Sequence, residues 1–464
     1  MTITTRPHDW NARLLAAATI VMSFWMVGHS LGQSRVLFQQ STLDANRVEN
    51  RFAAQQGETT TSSAIGFFLL GGMGFVCWAT SSSAGINWRH PLLWFCGAYL
   101  AWCVASLLWS TDPAQTVRKL GILGLMLIGA YGAATRFDLD DVIAISLVAL
   151  GGLISVGLLA ELGLGMFRPW RSDYRFSGTC HPNDQAVQCA MLALAALGAA
   201  WLKRDRPWLR RLLIAAGLVG LALSKSRTTL FSLLAATALA AVLNARGMQR
   251  WLVLSLGVAA ICVVGIAANF ISVSDVERTF DVASMGRREN VSSLTGRLPL
   301  WDELWKAAEK RPLAGHGYGG FWGEKNVLKY SGIFAWHIPH AHNGYLDLML
   351  AVGVFGALLY VAWVVATAVV AAVRHETSGD AAELFVVSLL AFSLLHAVTE
   401  SKFPGAGIGA FFVMMTMAAV AIRTPGIAAN RCLSAEPWRG LDDGEISWPF
   451  ETSAPTTAGY QQGR

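Results

Sequence analysis

Long unbroken runs of apolar residues, parted by short polar connections, dominate this chain. A helix needs roughly 20 such residues to cross a bilayer, within a range of ~17–25. On that measure the pattern predicts twelve membrane-spanning helices, at about 13–31, 64–80, 91–109, 120–134, 142–162, 185–202, 212–224, 228–243, 251–271, 343–373, 384–399 and 406–422. Several are shorter than ideal, and the seventh and eighth are separated only by Ser224-Lys225-Ser226-Arg227. The runs are continuous rather than alternating, which excludes a β-barrel. The first follows Arg6 and Arg13 and lacks a small-residue cleavage site, so it reads as a retained helix and not a signal peptide. No internal repeat and no soluble domain is visible.

The connection over 272–342 is far longer than the ~12–15 residues beyond which loops are uncommon and usually functional. Part of it is predicted to be helical. Thr295 can cap, Pro299 suits a first turn, and Leu300, Trp301, Leu304, Trp305 and Ala308 form one apolar stripe that ends before Arg311-Pro312. Two Trp on that stripe suggest a helix lying at a membrane surface. Residues 1–424 therefore read as one transmembrane domain including this loop. Residues 425–464, rich in Pro, Gly, Ser and Thr, read as a disordered cytoplasmic tail.

Composition sharpens the class. Hydrophobic residues make up 54% of the 464 residues and charged ones only 14%, against a usual ~25%. That excludes a soluble domain, a disordered chain, a collagen and a coiled coil. The fold class is an all-α polytopic membrane protein. The net charge is +6, but in such a chain the 36 Lys and Arg belong in loops, where they set topology or meet anionic lipid and phosphate rather than nucleic acid. The loop 203–211, KRDRPWLRR, is the strongest cytoplasmic marker. With twelve spans both termini are then cytoplasmic, and 32–63, 110–119, 163–184, 272–342 and 400–405 face outward. Those outer loops also hold Arg168, Arg171, Arg175, Arg287, Arg288 and Arg297. Long translocated loops can ignore the charge rule, or the excess serves a phosphate-bearing substrate.

Several familiar chemistries are missing. No GxxxxGK[ST], HExxH or GxSxG occurs, and the seven Cys form no CxxC pair and read as small packing residues. Gly315 to Gly320 follows no strand, so a dinucleotide site is not expected. Asp138-Leu139-Asp140 lies in a very short connection and reads as solvated charge.

Three polar segments stand out. Charges such as Lys225 and Arg227 cost roughly 2.5–3.5 kcal/mol at a bilayer centre, so their turn either lines a pathway or is an interfacial hairpin with Lys225 snorkelling. Gly178-Thr179-Cys180-His181-Pro182-Asn183 sits where the sixth span begins, as an anion site at a helix N-terminus or as capping chemistry. His337, His340 and His342, followed by Asn343, form the densest histidine cluster. It reads as a zinc or copper site, or as a general base with structural neighbours, and carboxylate and Cys ligands nearby are lacking.

Together with Trp109-Ser110-Thr111-Asp112-Pro113, Gly296-Arg297-Leu298-Pro299-Leu300-Trp301, Pro312-Leu313-Ala314-Gly315-His316-Gly317 and His342-Asn343-Gly344-Tyr345-Leu346 followed by Gly353 and Gly356, these segments stand in the order of a known family. The chain resembles the O-antigen ligase, O-antigen polymerase and exopolysaccharide polymerisation proteins over most of 95–360. The resemblance implies a GT-C-like, inverting, metal-independent glycosyltransferase with no cofactor. It would sit in the bacterial inner membrane with its active site facing the periplasm, in surface-polysaccharide or lipopolysaccharide biosynthesis. The donor would be an undecaprenyl-diphosphate-linked glycan and the acceptor a growing glycan or lipid A core, with polysaccharide export machinery as a further candidate partner. The family's catalytic residues fall on Arg227, Arg297 and His342. Arg227 and Arg297 would also bind substrate, together with His181, Asn183, Lys225, His340 and Asn343. A flippase or transporter of lipid-linked polyanionic glycans is the rival reading, and a metal transporter using the histidines a third.

Overall fold

The computed structural model describes residues 10–28, 45–81, 87, 89–172, 174–201, 207–245, 297–334, 336, 338–401 and 405–422. Among them are thirteen α-helices and no strand. They are α1 (Trp10–Gly28), α2 (Ala45–Thr80), α3 (Pro91–Ala105), α4 (Pro113–Arg136), α5 (Leu139–Gly163), α6 (Pro182–Trp201), α7 (Pro207–Ser224), α8 (Arg227–Asn244), α9 (Arg297–Ala308), α10 (Glu324–Phe334), α11 (Gly344–Ser378), α12 (Ala382–Ala397) and α13 (Ile408–Ile422). Eight of these helices are long and apolar enough to cross a membrane, and α12 and α13 are shorter and apolar. Eleven of the expected spans fall on helices; the one at 251–271, with Thr295, Arg287, Arg288, His337 and the tail, lies outside the described residues. The expected loop 32–63 is corrected in part, because α2 already begins at Ala45.

Large apolar side chains cover the outside of the spans, with Trp94 74% and Leu108 87% exposed. Water would not tolerate so many, and lipid would. α13 is the converse: every residue from Ile408 to Ile422 is buried, as expected of a helix apolar all round. α2 meets α4 backbone to backbone, and a Cβ at Gly132 would lie 2.0 Å from Gly74 O, the small-residue contact that membrane helices use where no hydrophobic force drives them together. The helix ends are set locally. Asp112 Oδ1 accepts from Gln115 N at 3.0 Å ahead of Pro113 in α4. Asp138 and Asp141 form a reciprocal capping box at α5, so the D-x-D segment is a helix start.

Connections that the twelve-span reading assigns to one face bond to one another. Trp109 Nε1 donates to Ala314 O at 2.9 Å, and Asn183 Nδ2 to Glu400 Oε1 at 2.9 Å. Connections assigned to the opposite face do likewise: Arg13 pairs with Asp141, Arg136 Nη1 donates to Thr80 Oγ1 at 3.0 Å, and Arg374 Nη1 to Val420 O at 2.9 Å.

α11 is broken. Gly353 has φ 69° and ψ −177°, a region open essentially to glycine alone. The lost helical bond would join Val354 N–H to Leu350 O. Instead Val354 N donates to Pro312 O at 2.8 Å, and Leu350 O accepts from His316 N at 2.8 Å. The segment Pro312–His316 thus supplies partners for both groups of that lost bond. A Cβ on Gly353 would lie 2.2 Å from Leu313 O. Gly353→Ala is therefore expected to lower stability by roughly 3 kcal/mol or more, seen as a lower thermal midpoint of the purified protein in detergent; an unchanged midpoint would mean that the break is not required.

Candidate functional site

The segment from Arg297 to Asn343 carries its own small core. Leu300, Leu304 and Ala308 of α9 pack with Phe321, Tyr330, Ile338, Ala341, Leu346 and Leu350. The apolar stripe read from the sequence therefore turns into the protein, which corrects the expectation of a helix lying on a membrane surface. Trp301 turns inward with it, its Nε1 donating to Ala341 O at 2.8 Å, while Trp305 stays 50% exposed. Pro312–His316 is bonded to α11 on one side. On the other, Thr111 N donates to His316 O at 2.9 Å and Arg311 Nη1 to Trp109 O at 2.7 Å. Burial lowers the His316 pKa, and the neutral ring packs 3.1 Å from Ala307 O through Nε2. Two of the sequence motifs, 109–113 and 312–317, are thus scaffold for one another.

That scaffold presents the first turn of α9 and residues 340–343 to the end of α12. There the chain turns after Ala397, with Thr399 N and Glu400 N both donating to His396 O, at 3.2 and 3.1 Å. The turn fixes Glu400, which is 2% exposed. A carboxylate at a helix C-terminus is disfavoured by the helix dipole, and burial adds a further cost. Partners offset both. Oε1 accepts from Arg297 Nη2 at 3.0 Å and Asn183 Nδ2 at 2.9 Å, and Oε2 lies 3.6 Å from His342 Nδ1. Arg297 Nη1 donates to Thr399 O at 2.7 Å. Two of the five guanidinium N–H groups are used in this way, and three remain for a ligand.

His342 has a left-handed backbone, φ 52°, uncommon outside glycine though His tolerates it better than most. Its N–H donates to His340 Nδ1 at 3.2 Å, and the two rings lie 4.1 Å apart, with Trp336 at 5.2 Å on the His342 ring. Asn343 caps α11: Oδ1 accepts from Tyr345 N at 3.0 Å and Leu346 N at 3.1 Å, and its own N–H donates to Ser401 Oγ at 3.1 Å. At α6, His181 Nδ1 accepts from Asn183 N at 3.1 Å.

The structure thus brings Arg297, His342 and Asn183 onto one carboxylate, with His181, His340 and Asn343 bonded next to them. Arg227 and Lys225 stand apart. Lys225, with φ 55°, sends Nζ to Ser172 O at 2.6 Å. Arg227 opens α8, and among the described residues its guanidinium makes no hydrogen bond or ion pair. Its turn is tied to the cluster from both ends. Arg175 Nε donates to Ser224 O at 2.9 Å and Nη2 to Asn183 Oδ1 at 2.8 Å. Thr229 Oγ1 lies 3.2 Å from His396 Nε2, one turn before Glu400.

Glu400 and Glu161 are the residues that sequence reasoning passed over, and Arg175 was read only as one of the outer-loop arginines. Glu161, 2% exposed, collects the N–H groups of Ser177 and Gly178, at 3.0 and 2.9 Å, and the Tyr174 hydroxyl at 2.5 Å. It fixes the loop that delivers Arg175 to the site. In sequence each is a lone acid at the end of an apolar run, which by itself marks no site. Among the described residues no three His, Cys, Asp or Glu stand close enough to hold a metal ion.

Residues 212–361 match a family model described as O-antigen ligase. The matched segment contains Arg227, Arg297 and His342. No curated protein matches the chain significantly.

Proposed function

We propose, starting from a chain whose residues 212–361 belong to the O-antigen ligase family, that it transfers a glycan from an undecaprenyl-diphosphate-linked donor to an acceptor hydroxyl. The chain is a multi-pass membrane protein of a family of glycosyltransferase-like ligases and polymerases. In this reading it works in the bacterial inner membrane at the periplasmic face, and the acceptor is a growing glycan or lipid A core. The observation that carries the reading is the meeting of Arg297, His342 and Asn183 on Glu400, with Arg227, which pairs with none of the described residues, at the start of the adjoining α8.

The chemistry follows from the residue types. Arg297 and Arg227 hold the diphosphate oxygens, since guanidinium forks match them and stay charged. Glu400 faces His342 Nδ1 and favours the tautomer with its proton there, so Nε2 carries the basic lone pair. The acceptor oxygen attacks the anomeric carbon, and its proton passes to Nε2. The bond from that carbon to the diphosphate oxygen breaks, and undecaprenyl diphosphate leaves with the electron pair, its charge met by the arginines. One displacement inverts the anomeric centre. A diphosphate is its own leaving group, so the step uses neither nucleotide nor metal.

The test is purified chain in detergent with lipid-linked glycan and acceptor, where no second compartment exists. We expect donor to be consumed, undecaprenyl diphosphate to appear, and EDTA to leave the rate unchanged. A flippase would leave the donor intact, and a loss of activity restored by zinc would turn the histidines into a metal site.

A further inference from the structure

Next to Asn343, and unused by the chemistry above, lies a cavity of about 240 Å³ whose lining includes Trp301, Asp302, Trp305, Asn343, Tyr345 and Leu346. Sites for drug-sized ligands take ~300–1,000 Å³, so this one suits one or two rings. Its wall is mixed. α9 places Trp301 and Trp305 one turn apart on one side, with the exposed carboxylate of Asp302 between them in sequence. The start of α11 supplies the other side.

We infer that this groove is the acceptor-sugar subsite, stacking a pyranose ring on Trp305 and bonding its hydroxyls through Asp302 and Asn343. The inference rests on the glycosyl-transfer reading and names where the acceptor lies. Three observations support it. A sugar has an apolar C–H face and a hydroxyl edge, and an indole beside a carboxylate and an amide complements both. Trp305 lines the groove and is 50% exposed, so part of its ring is open to a ligand. Asn343 follows His342 in the chain, so the groove begins one residue from the proposed base. A polyprenyl tail would have to bury the exposed Asp302 carboxylate, which hydrocarbon penalises.

The probes are a free oligosaccharide cut by mild acid from the acceptor glycan, and undecaprenyl diphosphate alone. Each is titrated calorimetrically into the full chain in detergent. Trp305→Ala is expected to weaken oligosaccharide binding roughly three- to tenfold, Asp302→Asn about tenfold, and Trp305→Tyr to retain most of the affinity. Undecaprenyl diphosphate binding should not move in any of the three. A Trp305→Ala variant that weakens undecaprenyl diphosphate instead would make the groove a lipid channel, and one that changes neither titration would overturn it as a binding site. Arg297→Ala separates the two readings: it should lose undecaprenyl diphosphate and keep the oligosaccharide. If it keeps both, the diphosphate reading fails while the sugar groove stands.

Discussion

Glu400→Ala is expected to cut the transfer rate by about 10²–10³-fold. The carboxylate touches three residues that come from 217, 103 and 58 positions away in the sequence. Without it, Arg297 keeps only its bond to Thr399 O, Asn183 loses its acceptor, and the His342 tautomer is no longer biased. Breaking a buried pair costs up to ~3–5 kcal/mol; Arg297 is partly exposed, so the stability loss should fall below that range. Glu400→Gln separates the contributions. It can still accept from Arg297 and Asn183 but carries no charge to face His342, so it should restore stability more than rate. Initial rates and thermal midpoints on the purified variants measure both. A Glu400→Ala protein as active as the parent would remove the carboxylate from the site's function. A loss of stability alone would make it a structural tie.

The second large effect separates base from anion holder. His342→Ala should lose about 10²–10⁴-fold in turnover while still binding undecaprenyl diphosphate, because a base acts on the acceptor proton. Arg297→Lys should fail almost as fully as Arg297→Ala. Nη1 reaches Thr399 O while Nη2 reaches Glu400, and an ammonium on a flexible stem cannot hold both and still offer a fork. His340→Ala should be milder, since His340 reaches the site by accepting the His342 N–H. Transfer rate and undecaprenyl diphosphate affinity, measured side by side, decide. A dead His340→Ala beside an active His342→Ala would move the base by two residues, and activity in both would remove it.

Much of the fold was legible because its signals are local. The spans are long apolar runs, Asp112-Pro113 and Pro182 sit at helix starts, and the α9 stripe has helical spacing. What the α9 stripe packs against was not legible, because its partners Ile338, Leu346 and Leu350 belong to later segments. Arg297 and His342 were accessible through motif order. Glu400 was not: in sequence it is one acid in the short connection at 400–405, and its meaning appears only when three distant segments close on it. The break in α11 left one trace. The run over 343–373 is longer than the ~20 residues a crossing needs, and glycine at 353 is too ordinary in membrane helices to mark where it divides.

That break also defines what can be exchanged between related chains. Pro312–His316 and the 350–354 stretch complete each other's backbone hydrogen bonds, so they behave as one piece. Transplanting 297–343 onto a relative whose equivalent of α11 is unbroken would strand the Pro312 carbonyl and the His316 N–H, and the uninterrupted helix would occupy the space of Leu313. The module to move in a chimera is therefore 297–378, with the interrupted helix carried along as part of the loop.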